Sequence, residues 1–233
     1  MKYSRTLPRP QAICIDMDNT LYEYEPCNRA GMAAVYKKLD KQFSVDATTA
    51  QRCFLQARQE IKHQLGPTAA SHSRLLYFQR MLEIAHFKSQ ISLCLDLEQT
   101  FWRFYLQQMR LFPGVSDFLY SLREQNIAVA IVSDLTLQIQ MRKLMWLELD
   151  GLMDYLITSE EAGADKPDPA MFRLAMAKLN TDPEKTWMIG DDYEKDILGA
   201  EACGMIGILK GYSDSVPCFQ NFNQLLQRLL ALI

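Results

Sequence analysis

Long apolar runs are missing from this 233-residue sequence. No stretch approaches the roughly 18 consecutive apolar residues that a membrane-spanning helix requires, so we expect no membrane span. The N-terminal stretch 1–10 is polar, contains two prolines and has no apolar segment typical of a secretory signal. These absences predict a protein that works in the cytoplasm and has no membrane partner.

An excess of charge of either sign is also absent. The formal net charge is -3, with 25 basic against 28 acidic residues. A surface that binds a nucleic-acid polymer normally carries a clear cluster of basic residues, so this balance argues against such a partner. A small anionic substrate would have to be attracted locally, by a metal ion or a few cations.

Cysteine pairs of the kind that bind zinc are absent as well. The six cysteines form no C-x-x-C pair and no Cys/His spacing typical of a structural zinc site. A chain of this length buries a substantial core without disulfides. We therefore interpret all six as free thiols, which fits a reducing compartment.

Short apolar runs that end in polar or turn residues recur along the sequence, as is typical of buried parallel strands. The predicted strands are Ala12–Ile15, Ile127–Ser133, Tyr155–Thr158, Trp187–Ile189 and Met205–Leu209. Helical patterns alternate with the four later runs, at Val115–Glu124, Leu135–Leu147, Ala170–Leu179 and Lys195–Cys203, and Phe222–Leu232 is a closing amphipathic helix. Such alternation predicts an α/β fold with a doubly wound parallel sheet, a Rossmann-like core.

The segment 24–110 interrupts this alternation. It is rich in Gln, Arg, Leu, Met and Ala, which favour helices. Its helical patterns are Arg29–Leu39, Ala47–Gln64, Ser71–Ala85 and Leu97–Met109. We predict a helical domain, 24–110, inserted after the first strand, so that 1–23 and 111–233 together form the α/β core.

Polar side chains follow the predicted core strands, at the edge where a parallel α/β sheet binds its ligands. They are Asp16, Asp18, Ser133, Asp134, Lys166, Asp191, Asp192 and Asp196. A single Asp in such a place is commonly a turn former or a helix cap. Several carboxylates at one edge repel each other, however, and a divalent cation is their natural counterion. An ammonium and a hydroxyl beside them supply what a transferred phosphoryl group needs.

Four motifs, in order along the chain, resemble those of the haloacid dehalogenase-like hydrolases. The run Asp16-Met17-Asp18-Asn19-Thr20 resembles the family's D-x-D-x-T signature. Ser133 resembles the second motif, and Lys166-Pro167-Asp168-Pro169 resembles the third, a Lys in a K-P-x-P setting. The run from Gly190 to Asp196 resembles the fourth, G-D-x-x-x-x-D. With the helical insertion, these motifs cover nearly the whole chain.

The resemblance implies a catalytic role for four of these residues. Asp16 is the nucleophile that forms an aspartyl-phosphate. Asp18 protonates the leaving oxygen and later deprotonates the attacking water. Ser133 and Lys166 hold the transferring phosphoryl group, and Lys166 also offsets the repulsion among the carboxylates.

The resemblance also implies a Mg²⁺ site. Asp16, the backbone carbonyl of Asp18, and Asp191 would bind the ion, which neutralises the substrate's charge before a carboxylate can attack it. Either Asp192 or Asp196 would support the metal site, and the sequence does not distinguish them.

The helical insertion resembles the C1-type cap of this family, which closes over the site and contacts the leaving group. Arg74, at the start of a predicted helix, is a candidate substrate ligand, with an exposed helix charge as the alternative. Asp134 is a second candidate, because many relatives carry Asn or Gly there. The implied function is hydrolysis of a small phosphorylated metabolite such as a sugar phosphate, phosphoglycolate or a nucleoside monophosphate, with the stretch Thr158–Glu161 resembling the nucleotidase-like branch.

Other activities on the same scaffold stay open at this stage. A phosphomutase and a phosphonatase share the core motifs, and a phosphonatase would need a lysine from the insertion that the sequence does not single out. A dehalogenase generally lacks the second acid, so Asp18 argues against one. A non-catalytic phospho-Asp signalling module uses similar residues, but such modules are shorter and phosphorylate an Asp after the third strand.

Overall fold

A computed structural model describes residues 7–88 and 90–232, so the first six residues of the polar N-terminal stretch lie outside it. The chain divides into two compact units. One unit comprises Met1–Glu23 and Arg110–Ile233, and the other comprises Tyr24–Met109. We call them the α/β unit and the helical unit.

Four long helices build the described part of the helical unit. They are α1 (Tyr24–Phe43), α2 (Ala47–Leu65), α3 (Arg74–Ile84) and α4 (Ile91–Gln108), with a short 3₁₀ turn at Ala69–His72. Helix α1 packs mainly on α4, and α2 packs mainly on α3. Their shared core is rich in buried aromatic rings, including Phe54, Tyr77, Phe78, Phe101 and Tyr105.

Side-chain caps explain where two of these helices begin. The Asp46 carboxylate accepts a hydrogen bond from Thr49 N before α2, and the Ser73 hydroxyl accepts one from Leu76 N before α3. Helix α1 begins at Tyr24, earlier than the predicted Arg29, and Pro26 lies in its first turn. A proline there costs no intrahelical hydrogen bond, since the first N–H groups of a helix have no partner within it.

Within the described part of the α/β unit, six parallel strands form one sheet. They are β1 (Ala12–Ile15), β2 (Ala128–Ser133), β3 (Tyr155–Thr158), β4 (Thr186–Gly190), β5 (Ile206–Lys210) and β6 (Cys218–Phe219). The sheet order is β3-β2-β1-β4-β5-β6, which confirms the predicted doubly wound topology. Strand β1 lies between β2 and β4, so the order of the sheet reverses there, and the carboxyl end of β1 is the expected ligand site.

Helices cover the sheet. They are α5 (Val115–Glu124), α6 (Leu137–Trp146), α7 (Ser159–Ala162), α8 (Pro169–Leu179), α9 (Gly199–Ala202) and α10 (Phe222–Leu230). Cys14 of β1 packs in a buried cluster with Met171 and Phe172 of α8. Its neighbours Ile13 and Ile15, which point to the opposite face of β1, are also fully buried. Burial on both faces explains why this strand is a continuous apolar run.

The structure differs from the sequence prediction mainly near β4 and at the C-terminus. The predicted helix Lys195–Cys203 begins at Tyr193 with a wide π-helical turn, Tyr193–Leu198, and continues as α9. The two-residue strand β6 was not predicted, because it is too short to form an apolar run. No helix of the described residues is long and apolar enough to span a membrane, and all six cysteines are free thiols.

Candidate active site

Asp16 follows β1 directly, at the carboxyl edge of the sheet. Its backbone N–H donates to Ile189 O of the neighbouring strand β4 at 2.8 Å, which fixes the residue at the end of the sheet ladder. Its carboxylate is almost completely buried. One carboxylate oxygen accepts from Lys166 Nζ at 2.6 Å, and the other accepts from the Thr20 hydroxyl at 3.1 Å.

Lys166 places a buried positive charge beside Asp16. Its Nζ donates to Asp16 Oδ1 at 2.6 Å, to Asp196 Oδ1 at 2.6 Å and to Val132 O at 3.0 Å, so all three ammonium hydrogens are used. Burial by itself lowers the pKa of Lys166, but the Asp16 and Asp196 carboxylates raise it more, and the net pKa lies above the ordinary value. The lysine is therefore a fixed cation.

Three carboxylates converge next to this cation. Oxygen atoms of Asp16, Asp191 and Asp196 all lie within 4.8 Å of one another. The Thr20 hydroxyl lies 3.1 Å from Asp191 Oδ1, the same distance as from Asp16, and can donate its single hydrogen to either. Three acids against one ammonium leave negative charge in excess, and the all-oxygen donor set suits a hard divalent cation.

The pKa values of two of these acids agree with a cation site. Burial raises the pKa of Asp16 well above its ordinary value, although Lys166 opposes the shift. Burial, followed by the nearby Asp196 carboxylate, also raises the pKa of Asp191. A divalent cation at this point would favour the ionised form of both residues. The residues present therefore fit a metal ion, which these three acids would hold.

The two candidate supporting acids have different surroundings. Asp196 is buried, and its Oδ2 accepts from the backbone N–H of Asp192 at 3.1 Å. The Asp192 side chain is exposed and instead accepts from the N–H groups of Glu194 and Lys195, at 3.0 Å each, as the cap of the following turn. Asp196, not Asp192, thus lies in the carboxylate cluster.

Gly190, the last residue of β4, makes room for Asp196. A Cβ atom at this position would lie 2.1 Å from Asp196 Oδ2 and 2.3 Å from its carboxyl carbon, which is far inside van der Waals contact. The clash is with a side chain that is held at both oxygens, by Lys166 and by a backbone N–H. Only glycine permits this arrangement.

Replacing Gly190 with alanine is expected to displace Asp196 and, through it, Lys166. We expect kcat on an aryl phosphate to fall about 100-fold, since a displacement of 1 Å in a catalytic group has that effect, and we expect a loss of about 1–3 kcal/mol in the free energy of unfolding from overpacking. Steady-state kinetics and urea denaturation measure both. Gly151→Ala is the matched control, because its Cβ meets no atom within 4 Å. Wild-type kcat in Gly190→Ala would contradict the assigned role of Asp196.

Ser133 ends β2, the neighbour of β1, and Asp134 follows it directly. The buried Ser133 hydroxyl accepts from Gln140 Nε2 at 2.7 Å, which leaves its own hydrogen directed away from that bond and able to donate. The two carboxylate oxygens of Asp134 accept from Lys166 N at 2.9 Å and from Lys195 Nζ at 3.0 Å. Asp134 thus ties together the segments that follow β2, β3 and β4.

Asp18 contacts two residues that the sequence prediction missed. Lys143 Nζ donates to Asp18 Oδ1 at 2.7 Å and to Oδ2 at 2.9 Å, and the Tyr22 hydroxyl also donates to Oδ1. Gln140 and Lys143 are three residues apart on α6 and therefore share one face of that helix. The sequence did hold a signal for them. Gln140 and Lys143 lie at helical spacing among the apolar residues Ile139 and Leu144, on the buried side of α6.

Arg74 begins α3 in the helical unit. Its Nη2 donates to the Tyr24 hydroxyl at 2.6 Å, and its guanidinium carbon lies 5.1 Å from the centre of the Phe101 ring and 5.4 Å from that of Tyr77. Its Nε is buried and has no hydrogen-bond partner within 7–88 and 90–232. Arg74 is thus held against an aromatic cluster, which differs from the solvated helix charge that was the alternative.

Comparison with known proteins gives consistent results. A family model described as haloacid dehalogenase-like hydrolase matches residues 10–204. A ribulose-1,5-bisphosphate 5-phosphatase from Halopiger xanaduensis is 40% identical over 199 residues, which cover 85% of this chain and 83% of that protein. A glyceraldehyde 3-phosphate phosphatase from Methanothermobacter thermautotrophicus is 27% identical over 203 residues, with 85% and 84% covered.

A solved structure gives the same fold. The 2-haloacid dehalogenase from Pseudomonas syringae matches with a TM-score of 0.77 and 22% identity, over 95% of this chain and 99% of that one. At this identity the likeness concerns the fold and not the reaction. The family match and the relatives named above, which are phosphatases, together identify the chain as a phosphatase of the haloacid dehalogenase-like hydrolase family.

Proposed function

We propose that this chain is a magnesium-dependent hydrolase of small phosphomonoesters that acts through an aspartyl-phosphate on Asp16. The observation that carries the proposal is the surroundings of the Asp16 carboxylate. It is buried between the Lys166 ammonium and the Thr20 hydroxyl, with Asp191 and Asp196 close enough to share a cation. Such a carboxylate is oriented for attack and shielded from bulk water.

In this proposal Asp16 attacks phosphorus, and the bond to the leaving oxygen breaks. Lys166 and the free hydrogen of the Ser133 hydroxyl stabilise the negative charge of the transferring phosphoryl oxygens. Mg²⁺, when bound by the acidic cluster, supplies the positive charge that offsets repulsion between a carboxylate and a phosphate dianion. Before the attack, the contacts with Lys166 and the Thr20 hydroxyl orient Asp16.

Proton transfer is assigned to Asp18. It gives a proton to the leaving oxygen as Asp16 is phosphorylated, and it accepts a proton from the water that hydrolyses the aspartyl-phosphate. Asp18 suits this role better than Asp16, because its side chain is 30% exposed and can meet a water molecule. A phosphomutase would instead have to exclude water after the first step, and the phosphatase names of the relatives favour hydrolysis.

For the substrate, we propose a small phosphorylated sugar. The relatives with the coverage given above are named for ribulose 1,5-bisphosphate and glyceraldehyde 3-phosphate, both phosphorylated sugars. We assign recognition of the sugar to the helical unit, Tyr24–Met109, acting as a C1-type cap, and we propose Arg74 as one of the residues that contact the sugar. The buried Nε of Arg74 without a partner supports this choice. Asp134 is the weaker candidate, since both its oxygens already have protein partners. The cytoplasmic location stays a prediction from the sequence.

The test is phosphate release from a panel of phosphorylated sugars, phosphoglycolate and nucleoside monophosphates in the presence of Mg²⁺. We expect the highest kcat/KM for a phosphorylated sugar of three to five carbons. Arg74→Ala should change the ratio of kcat/KM between panel members by about tenfold, or about 1.4 kcal/mol of transition-state binding. Arg80→Ala, which removes exposed ion pairs of the same helix, is the control. No phosphate release from any member would refute the proposal, and an equal loss on every substrate would make Arg74 structural.

A further inference from the structure

We propose that Lys143 is a positioning residue that fixes the carboxylate of Asp18 for proton transfer, and that Tyr22 assists it. The inference rests on the proposed function, because that function assigns the proton transfer to Asp18. Neither Lys143 nor Tyr22 belongs to the four motifs of the sequence.

The contact between Lys143 and Asp18 constrains both oxygens of the carboxylate. The distances from Nζ are 2.7 Å to Oδ1 and 2.9 Å to Oδ2, so one ammonium holds the plane of the carboxylate as well as its position. The Tyr22 hydroxyl donates to Oδ1, and Nζ lies 5.8 Å from the centre of the Tyr22 ring. The Asp18 side chain is nevertheless 30% exposed, so it can still meet a water molecule.

The burial of Lys143 is the opposite of what stability alone would favour. Its side chain is 1% exposed, whereas a lysine on a helix normally extends its ammonium into water. The same helix exposes large apolar side chains, with Met145 at 69% and Trp146 at 46%. Burying an ammonium costs several kcal/mol before its ion pair offsets the loss. The helix also buries Ile139 and Leu144, so hydrophobic packing contributes to its orientation, but the burial of Lys143 requires its polar partners.

Helix α6 is oriented so that two polar residues reach the site. One turn before Lys143, Gln140 Nε2 donates to the Ser133 hydroxyl and to Asp134 O, at 2.7 and 2.8 Å. The helix therefore contacts the end of β2 through Gln140 and the segment after β1 through Lys143. Helix α6 thus couples the orientation of two residues of the proposed mechanism. One is Ser133, which would bind the phosphoryl group, and the other is Asp18, which would transfer the proton.

The chemical consequence concerns the leaving oxygen. As the bond between phosphorus and that oxygen breaks, its electron pair takes the proton of the Asp18 carboxyl, and Asp18 becomes a carboxylate. In the second step water attacks phosphorus, the bond to Asp16 breaks, and the water proton returns to Asp18. Lys143 keeps its three hydrogens and its charge in both steps. Its contribution is to prevent Asp18 from rotating away from the reacting oxygen.

The experiment compares two substrates of nearly equal size, 4-nitrophenyl phosphate and phenyl phosphate. Phenolate is the worse leaving group and depends more on protonation. We expect Asp18→Asn to lower the kcat/KM ratio of phenyl to 4-nitrophenyl phosphate by about tenfold or more, within the usual range for general acids. Lys143→Met, which keeps an unbranched side chain as far as Cε and removes the ammonium, should lower the same ratio about fivefold. In the double variant the ratio should fall no further than in Asp18→Asn, because both changes act on one step.

The controls separate positioning from structure. Arg142→Met removes an exposed cation from the adjacent position of α6 and should leave the ratio at the wild-type value. A purely structural role for Lys143 would lower the midpoint of thermal unfolding without changing the ratio between substrates. Tyr22→Phe removes a single oxygen and decides the question if Lys143→Met does not fold, with an expected fall in the ratio of about twofold.

The outcomes distinguish this inference from the proposed function. A fall in the ratio for Asp18→Asn, together with a wild-type ratio for Lys143→Met and Tyr22→Phe, would overturn the inference and leave the proposed function intact. A wild-type ratio for Asp18→Asn would instead overturn the proton route of the proposed function. Independent, multiplicative losses in the double variant would show that Lys143 acts elsewhere than on Asp18.

Discussion

Replacing Asp16 with asparagine is expected to lower kcat on every phosphomonoester by on the order of 10⁴-fold or more, because the proposed mechanism makes this residue the nucleophile and assigns no other group to replace it. The amide is nearly isosteric with the carboxylate. Its oxygen can accept from Lys166 Nζ, and its NH₂ can donate to the Thr20 hydroxyl, so both partners of the wild-type side chain remain satisfied. Lys166 also keeps its ion pair with Asp196. The fold is therefore expected to survive.

The measurement is steady-state phosphate release beside thermal unfolding of the same preparation. Asp214→Asn, at an exposed position, is the control for the loss of one acidic charge. Rapid quenching followed by peptide mass spectrometry should find a phosphorylated Asp16 peptide in the wild type and none in Asp16→Asn. A variant that retains a tenth or more of the wild-type kcat would remove Asp16 from the mechanism.

The α/β sheet and the edge that carries the acidic cluster were predictable from sequence for a physical reason. Strands buried on both faces, such as β1 and β4, are continuous apolar runs that end abruptly. Parallel strands bring their carboxyl ends to one edge, so Asp16 and Asp191 had to lie near each other once β1 and β4 were neighbours. The sequence order of the motifs and the doubly wound topology then left little freedom in where the four motifs could lie relative to one another.

The features that the sequence did not reveal depend on the orientation of side chains. Lys143 and Trp146 on α6 reverse the usual order of burial, and no pattern of hydrophobicity indicates that a helix buries its lysine. The choice between Asp192 and Asp196 required the structure, because it depends on the backbone turn after Gly190 that aims one acid inward and makes the other a cap. In both cases a charged side chain, Lys143 or Asp196, is buried because its polar partners lie at the site.

Removal of divalent cations is expected to abolish activity, and added Mg²⁺ should restore it. The cluster of Asp16, Asp191 and Asp196 carries three acids within 4.8 Å against the single ammonium of Lys166. Burial raises the pKa values of Asp16 and Asp191, so their negative charge is costly unless a cation balances it. Ca²⁺ should inhibit, because its larger and looser coordination shell misplaces the nucleophile relative to phosphorus.

Metal binding can be measured without turnover, through its effect on stability. An ion that binds only the folded chain raises the free energy of unfolding by about 2.7 kcal/mol at 100 times its dissociation constant. We expect Mg²⁺ to raise the unfolding temperature of the wild type and to have little effect on Asp191→Asn, with Asp214→Asn responding as the wild type does. Full activity in chelator would exclude a role for the cation in the reaction, and an equal Mg²⁺ response in Asp191→Asn would exclude Asp191 as a metal ligand. Loss of the response in Asp191→Asn with wild-type activity retained would show that the cation is structural, because the acid would then hold an ion that the reaction does not require.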